Sequence, residues 1–148
     1  MKSILNINRL LLLALWMAPL LAMAQADLQI SKVFDKYSKH NKVVMVELSD
    51  QMLTSYNMKL YKSISITDNP TAVTFIRKCL ETDQEGAKKI KQVMKGGKLS
   101  SAYYQLAKKG KDNRFILFKN SPDGTATLIY IETEVETDDI VNMLLKKN

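Results

Sequence analysis

Residues 43–48 form a short apolar run rich in β-branched side chains, too brief for a helical repeat, and predict a strand. A second strand is predicted over 59–66, where Leu60, Ile64 and Ile66 share one side and Tyr61, Ser63 and Ser65 the other. Before them, Leu28, Ile30, Val33, Phe34 and Tyr37 make an apolar stripe, which predicts a helix over about 28–40, capped by Asp27 and ended at Asn41. Ser49 caps a short helix over about 50–56, with Met52 and Leu53 turned inward. Asn69-Pro70 reads as a helix start: Asn69 can accept free amide hydrogens, and proline loses no hydrogen bond at the first helical position. That helix runs to about residue 80. Residues 82–95 read as its continuation, bent near Gly86 and stopped by Gly96-Gly97. Three strands follow, over 99–108, 114–120 and 125–134. The first two are joined by residues 110–113 and the last two by a Ser121-Pro122-Asp123-Gly124 turn. Thr137 caps a last helix over 138–147, with acids in its first turn and lysines in its last, as the helix dipole favours.

A meander of strands with helices gathered before and after it implies an α+β fold, an antiparallel sheet of about five strands with helices mainly on one face. A sheet covered on one side should alternate apolar and polar residues. Here Val43 and Met45 sit beside Val44 and Val46, Phe115 and Leu117 beside Ile116 and Phe118, and Tyr103 beside Tyr104. The second face must therefore be covered as well, by a helix of this chain or by another molecule. The simplest register sets Val44, Ile64, Ala102 and Tyr104 on one side. Val43, Met45, Tyr61 and Tyr103 fall on the other, with Ser63, Ser65 and Ser101 between them. Phe115 and Tyr130 are candidates for this second surface, although apolar residues on both sides of their strands leave their facing open. Large rings over small serines suit a protein or peptide partner, including a second copy of the chain, so Met45, Tyr61, Tyr103, Phe115 and Tyr130 are the expected binding residues.

The first 24 residues have the three parts of an export signal: Lys2 and Arg9, an apolar stretch from 10 to 23, and Ala22-Met23-Ala24 as a small-residue cleavage site. The stretch is interrupted by Pro19 and is shorter than the ~20 residues that span a bilayer as a helix. The expectation is a cleaved signal, no transmembrane segment afterwards, and a periplasmic or secreted domain of 124 residues (25–148). No cysteine follows the small residues, so a lipoprotein is not expected. Cys79 is the only thiol; no internal disulfide can form, and stability must come from the core. Cleavage lowers the net charge from +7 to +5, with 18 lysines but only Arg77 and Arg114 as arginines. Lysine is a solvated point charge poorly suited to bidentate phosphate or base recognition, so nucleic acid is not an expected partner.

No side-chain constellation points to catalysis. Cys79 with the lone histidine, His40, is the obvious nucleophile and base, but Val73, Ile76, Cys79 and Leu80 share a helical stripe, which predicts a packed thiol. The acids Glu132, Glu134, Glu136, Asp138 and Asp139 read as a solvated strand end leading into a helix start, without the loop that calcium requires. One histidine and one cysteine exclude an ordinary all-protein zinc site. Lys88, Lys91 and Lys95 read as the solvated side of a helix opposite Ala87, Ile90 and Met94, or as a patch for anionic surfaces. No cofactor is implied, since the nucleotide-binding and hydrolase motifs are missing.

An export signal, an early helix bearing Phe34-x-x-Tyr37, the strand Val44-x-Val46-x-Leu48-Ser49 turning into a short helix, and a terminal hairpin before Asp138-Asp139-Ile140 together resemble a family. The pattern is similar to the small exported Bacteroidota domains of unknown function, the group of domain of unknown function 4252. That resemblance spans most of the mature chain and implies an α+β domain in the envelope or outside the cell, with no catalytic residues to transfer. The expected function is a non-catalytic interaction domain. The alternatives are a hydrolase with an unidentified site and a weak binder of anionic envelope surfaces.

Overall fold

The computed structural model describes residues 28–136. The predicted signal segment and the predicted last helix lie outside the described residues. In chain order come helix α1 (Ser31–Tyr37), strand β1 (Val43–Ser49), two 3-10 turns (Asp50–Met52 and Thr54–Tyr56), β2 (Met58–Thr67) and helix α2 (Pro70–Asp83). A third 3-10 turn (Gln84–Gly86) leads into β3 (Ala87–Lys95), β4 (Lys98–Lys109), β5 (Asp112–Asn120) and β6 (Thr125–Thr133). The fold is α+β, as predicted: one antiparallel sheet in the order β1-β2-β6-β5-β4-β3, with both helices packed on one face.

The sixth strand, β3, occupies most of the stretch read as helix. Lysine, glutamine and methionine favour a helix locally, but propensity is a weak prior against tertiary pairing. Gly96 and Gly97 both have positive φ, +57° and +72°, and lie between the paired residues Lys95 and Lys98. A two-residue link with both φ values positive matches the right-handed twist of a hairpin, so the glycines turn one strand into the next and stop no helix. The lysines consequently do not share a helix side; β3 is a sheet edge exposed along nearly its whole length.

The helix-side core joins Val33, Phe34 and Tyr37 of α1 and Val73, Ile76 and Leu80 of α2 to Ile64, Ile66, Tyr104, Ile116 and Leu128 of the sheet. α2 begins as its sequence dictates: Ala72 N–H donates to Asn69 Oδ1 at 2.9 Å, with Pro70 at the first helical position. α1 begins later than predicted, and Ile30 at its cap position has no side-chain oxygen to offer. A distant residue takes that task. The buried Asp83 carboxylate accepts from Gln29 N–H at 2.8 Å and from Ile30 N–H at 2.9 Å. The turns after β1 bury Leu53 but leave Met52 71% exposed, contrary to its expected inward position.

The β5–β6 turn is held by Gly124 N–H donating to Ser121 O and by Thr125 N–H donating to Asp123 Oδ1. Gly124 has φ +85°, in the left-handed region that favours glycine, and a Cβ there would lie 2.9 Å from Asp68 Oδ1, which would have to move aside. Through that close approach Asp68 N–H reaches Gly124 O, tying the end of β2 to the hairpin.

Candidate functional site

Opposite the helices, the sheet carries a second apolar cluster. Phe115 and Ile131 lie at its centre, with Leu53 and Met58 buried beside them and Leu48, Tyr61, Tyr103, Leu117, Ile129 and Val135 packed around them. The strand register makes this layer. Tyr61 pairs with Ile131, Ile131 with Phe115, Ile129 with Leu117, and Leu117 with Tyr103, so their side chains rise from one face across four strands. The Tyr103 and Phe115 rings stack with centroids 6.0 Å apart. An irregularity between Met58 and Leu60 sends Met58 to this face and leaves Leu60 against the helix-side core.

Of the five predicted binding residues, the structure brings Tyr61, Tyr103 and Phe115 together and separates the other two. Met45 pairs with Ile64 and packs against the helix-side core, as does Val43. The predicted facing of β1 is thus reversed: Val44 and Val46, opposite Ser65 and Ser63, lie on the second face. Because β1 is apolar on both sides, its hydrophobic pattern fits either register, and the geometry of the Asp50–Asn57 turns decides between them. Tyr130 also belongs to the helix-side core. Phe115 has the predicted company but is wholly buried.

Only part of the face is exposed. On the outer strand β1, Val44 is 67% and Val46 38% exposed, above the small residues Ser65 and Ser63 of β2. Reading the sequence missed these two valines as surface residues. The signal that could have found them is the uninterrupted apolar run of β1, which cannot be buried on both sides in a strand at the sheet edge.

Polar side chains gather on the helix side. Glu132 was expected to be solvated. It is instead buried, accepting from Tyr130 Oη at 2.8 Å with Lys109 Nζ at 3.4 Å. Burial, and then the Glu132 carboxylate that accepts its proton, push the Tyr130 hydroxyl far above its ordinary pKa, so Tyr130 serves as a fixed donor. Glu134 remains exposed and pairs with Lys59 at 3.1 Å; Lys59 also meets Asp112 at 2.8 Å, and both partners raise the lysine's pKa. Between α2 and the β3–β4 hairpin lies an open cleft of about 470 Å³, lined by Arg77, Glu81, Gln84, Gln92 and Tyr104 among others. Three of its polar side chains engage one another, Gln92 Nε2 donating to Gln84 Oε1 at 2.8 Å and to Tyr104 Oη at 2.7 Å, while Arg77 Nε donates to Leu99 O. Among the described residues, no group of three or more histidine, cysteine, aspartate or glutamate side chains is placed to hold a metal ion.

The nucleophile pair fares no better as chemistry. Cys79 is buried in the α2 stripe, as the spacing predicts, while His40 is exposed beyond α1 with its ring edge-on to Tyr37 at 5.1 Å. Burial first, and the nearby Asp83 charge second, push the Cys79 thiol up, away from the thiolate form that attacks. Cys79 is expected to react slowly with a thiol reagent in the native protein and rapidly in denaturant, as followed by mass spectrometry. Rapid native labelling would show an accessible, activated thiol.

No curated protein matches the chain. The expectation of an unknown-function family is met in its general form, since the family model that matches covers residues 17–144 and with them every element of the sheet, both helices and the apolar second face. The chain belongs to the family of unknown function DUF6108.

Proposed function

We propose that this protein is an exported, non-catalytic binding domain, its mature part comprising residues 25–148, which takes an extended segment of a protein partner along the β1 edge of its sheet. One observation carries the reading. β1 is an outer strand with Val44 and Val46 exposed side by side, and no charged residue stands between Lys42 and Glu47. An outer strand offers backbone donors and acceptors to an incoming strand, and proteins that avoid such pairing place charges there. The opposite edge does so: β3 carries Lys88, Lys89, Lys91 and Lys95. β1 lacks that protection. Tyr61, partly buried and paired with Leu48 of β1, borders the exposed valines and supplies an aromatic contact.

Export is supported by the signal-like first 24 residues and by the likeness to exported Bacteroidota domains; among the described residues no helix is long and apolar enough to cross a membrane. The hydrolase alternative has no residues to name. The alternative of an anionic-surface binder loses its helical stripe, because Lys88, Lys91 and Lys95 lie on an edge strand and not on one side of a helix.

The test is a pair of charge substitutions. Val44→Lys and Val46→Lys should leave the circular dichroism spectrum unchanged and together weaken partner capture by about tenfold or more, since one hot-spot contact is worth ~1 to 2 kcal/mol. Capture is measured by cross-linking in the native envelope, and self-association by sedimentation of the pure protein. Ile90→Lys, on the other edge, serves as the control and should change neither. Equal capture and equal sedimentation by the wild type and the double variant would remove the β1 edge from consideration.

A further inference from the structure

Phe115 and Ile131 are 0% exposed, yet both helices lie on the opposite side of the sheet. Tyr103 Oη and Gln105 Oε1, farther across on β4, are buried as well. A sheet face open to solvent cannot hide a phenylalanine ring completely; a second layer must lie over it. Among the described residues outside the sheet, that layer includes Leu53, in the turns joined to β2, and Val135, just past β6. The rest of the cover has to come from elsewhere.

Where the described chain leaves the fold identifies the source. At the N-terminal end, Leu28 and Ile30 pack into the helix-side core. At the other end, the chain departs on the second face: Val135 packs into the Phe115 cluster, its carbonyl accepts from Asn113 Nδ2 at 2.9 Å, and its N–H donates to Thr133 Oγ1 at 3.1 Å. The next residues in the chain are those whose sequence predicts a capped helix over 138–147. Among their apolar members, Ile140, Val141, Leu144 and Leu145 recur at i, i+1, i+4 and i+5 on one side, with Met143 at i+3 beside Ile140. Ten helical residues reach ~15 Å at 1.5 Å each, and the three spacings from β2 through β6 and β5 to β4 also span ~14 Å.

We propose that residues 137–148 are the missing cover, docking the Ile140–Leu144 side over Phe115, Leu117, Ile131 and Tyr103. The second face then has two zones: a sealed interior under the C-terminal segment, and the exposed Val44–Val46 strip beyond it. This assignment does not depend on partner binding at β1.

Nuclear Overhauser spectroscopy on the protein with labelled methyl groups tests it. Cross-peaks are expected from Ile140 and Leu144 methyls to Phe115 ring protons and to Ile131 and Leu117 methyls. In a mixture of labelled and unlabelled protein, isotope-filtered spectra should show no such peaks between chains. In the full chain, Leu144→Asp should abolish the cross-peaks and raise the fluorescence of an apolar-surface dye several-fold. Absence of the cross-peaks from the wild type, or their appearance only between chains, overturns the proposal; the second outcome would make a second copy the cover.

Discussion

Replacing Phe115 by alanine is expected to lower the free energy of unfolding by about 3–5 kcal/mol, the range for truncating a large core aromatic. The ring is fully buried, stacked on Tyr103 and flanked by Ile131, so its removal forfeits both transfer energy and contacts that its neighbours cannot recover by collapsing. Urea denaturation monitored by circular dichroism measures the change, with Ile90→Ala on the exposed edge strand as a reference expected within about 0.5 kcal/mol of wild type. A loss of less than about 1 kcal/mol at Phe115 would mean that the second face is a solvated surface and has no packed layer. The experiment therefore weighs the two roles that an aromatic residue on this face can have. Tyr61 and Tyr103 retain partial exposure and Phe115 none, which assigns Phe115 to packing.

The second large effect is expected at Asp83. Its carboxylate closes the start of α1 by accepting two backbone N–H groups, one of them fully within the core. Asp83→Ala leaves both amides without their acceptor and should cost about 2–4 kcal/mol, because an orphaned buried donor forfeits its full desolvation energy. Asp83→Asn keeps the shape but turns one acceptor into a donor facing an amide, and should cost about 1–3 kcal/mol. The pH dependence has a definite sign. Burial raises the Asp83 pKa more than the two amide donors lower it, so the folded state binds a proton more readily than the unfolded chain. Stability from this group is then fully present below the unfolded carboxylate's pKa and declines as the pH rises through the higher folded value. Unfolding free energies measured from about pH 3.5 upward, just below the ordinary aspartate pKa, should show that decline in the wild type, relative to Asp83→Asn, in which the group no longer titrates. Identical pH profiles for the two proteins would contradict the sign.

Where local chemistry decides, the residues sufficed. Asn69-Pro70 starts α2 because an acceptor and a missing N–H suit any helix start, whatever surrounds it. Ser121-Pro122-Asp123-Gly124 turns β5 into β6 through the conformational preferences of those same residues. The α2 stripe at helical spacing puts Cys79 inside, and apolar residues on both sides of the central strands revealed two covered faces. Elsewhere the local signal was degenerate. Gly96-Gly97 can end a helix or turn a hairpin, and only the pairing of β3 with β4 selects the hairpin. Over residues 43–46 β1 is apolar on both sides, so the choice between Met45 and Val44 for the helix side rested on the turns that set its register.

The same division applies to the candidate site. Tyr61, Tyr103 and Phe115 could be grouped from alternation along their strands, because side chains two residues apart must share a face. Which of them stay exposed depends on what lies over the sheet, a matter of contacts between residues far apart in the chain. By itself the sequence determined the fold class, the helix and turn signals, the packed thiol and the need for two covered faces, each set by neighbours within a few positions. Only the tertiary structure decided that residues 87–95 are an edge strand, that Asp83 caps a helix 53 positions before it, and that Val44 and Val46 face outward. Those outcomes arise from long-range pairing and burial, where a small difference in packing energy overrides local preference.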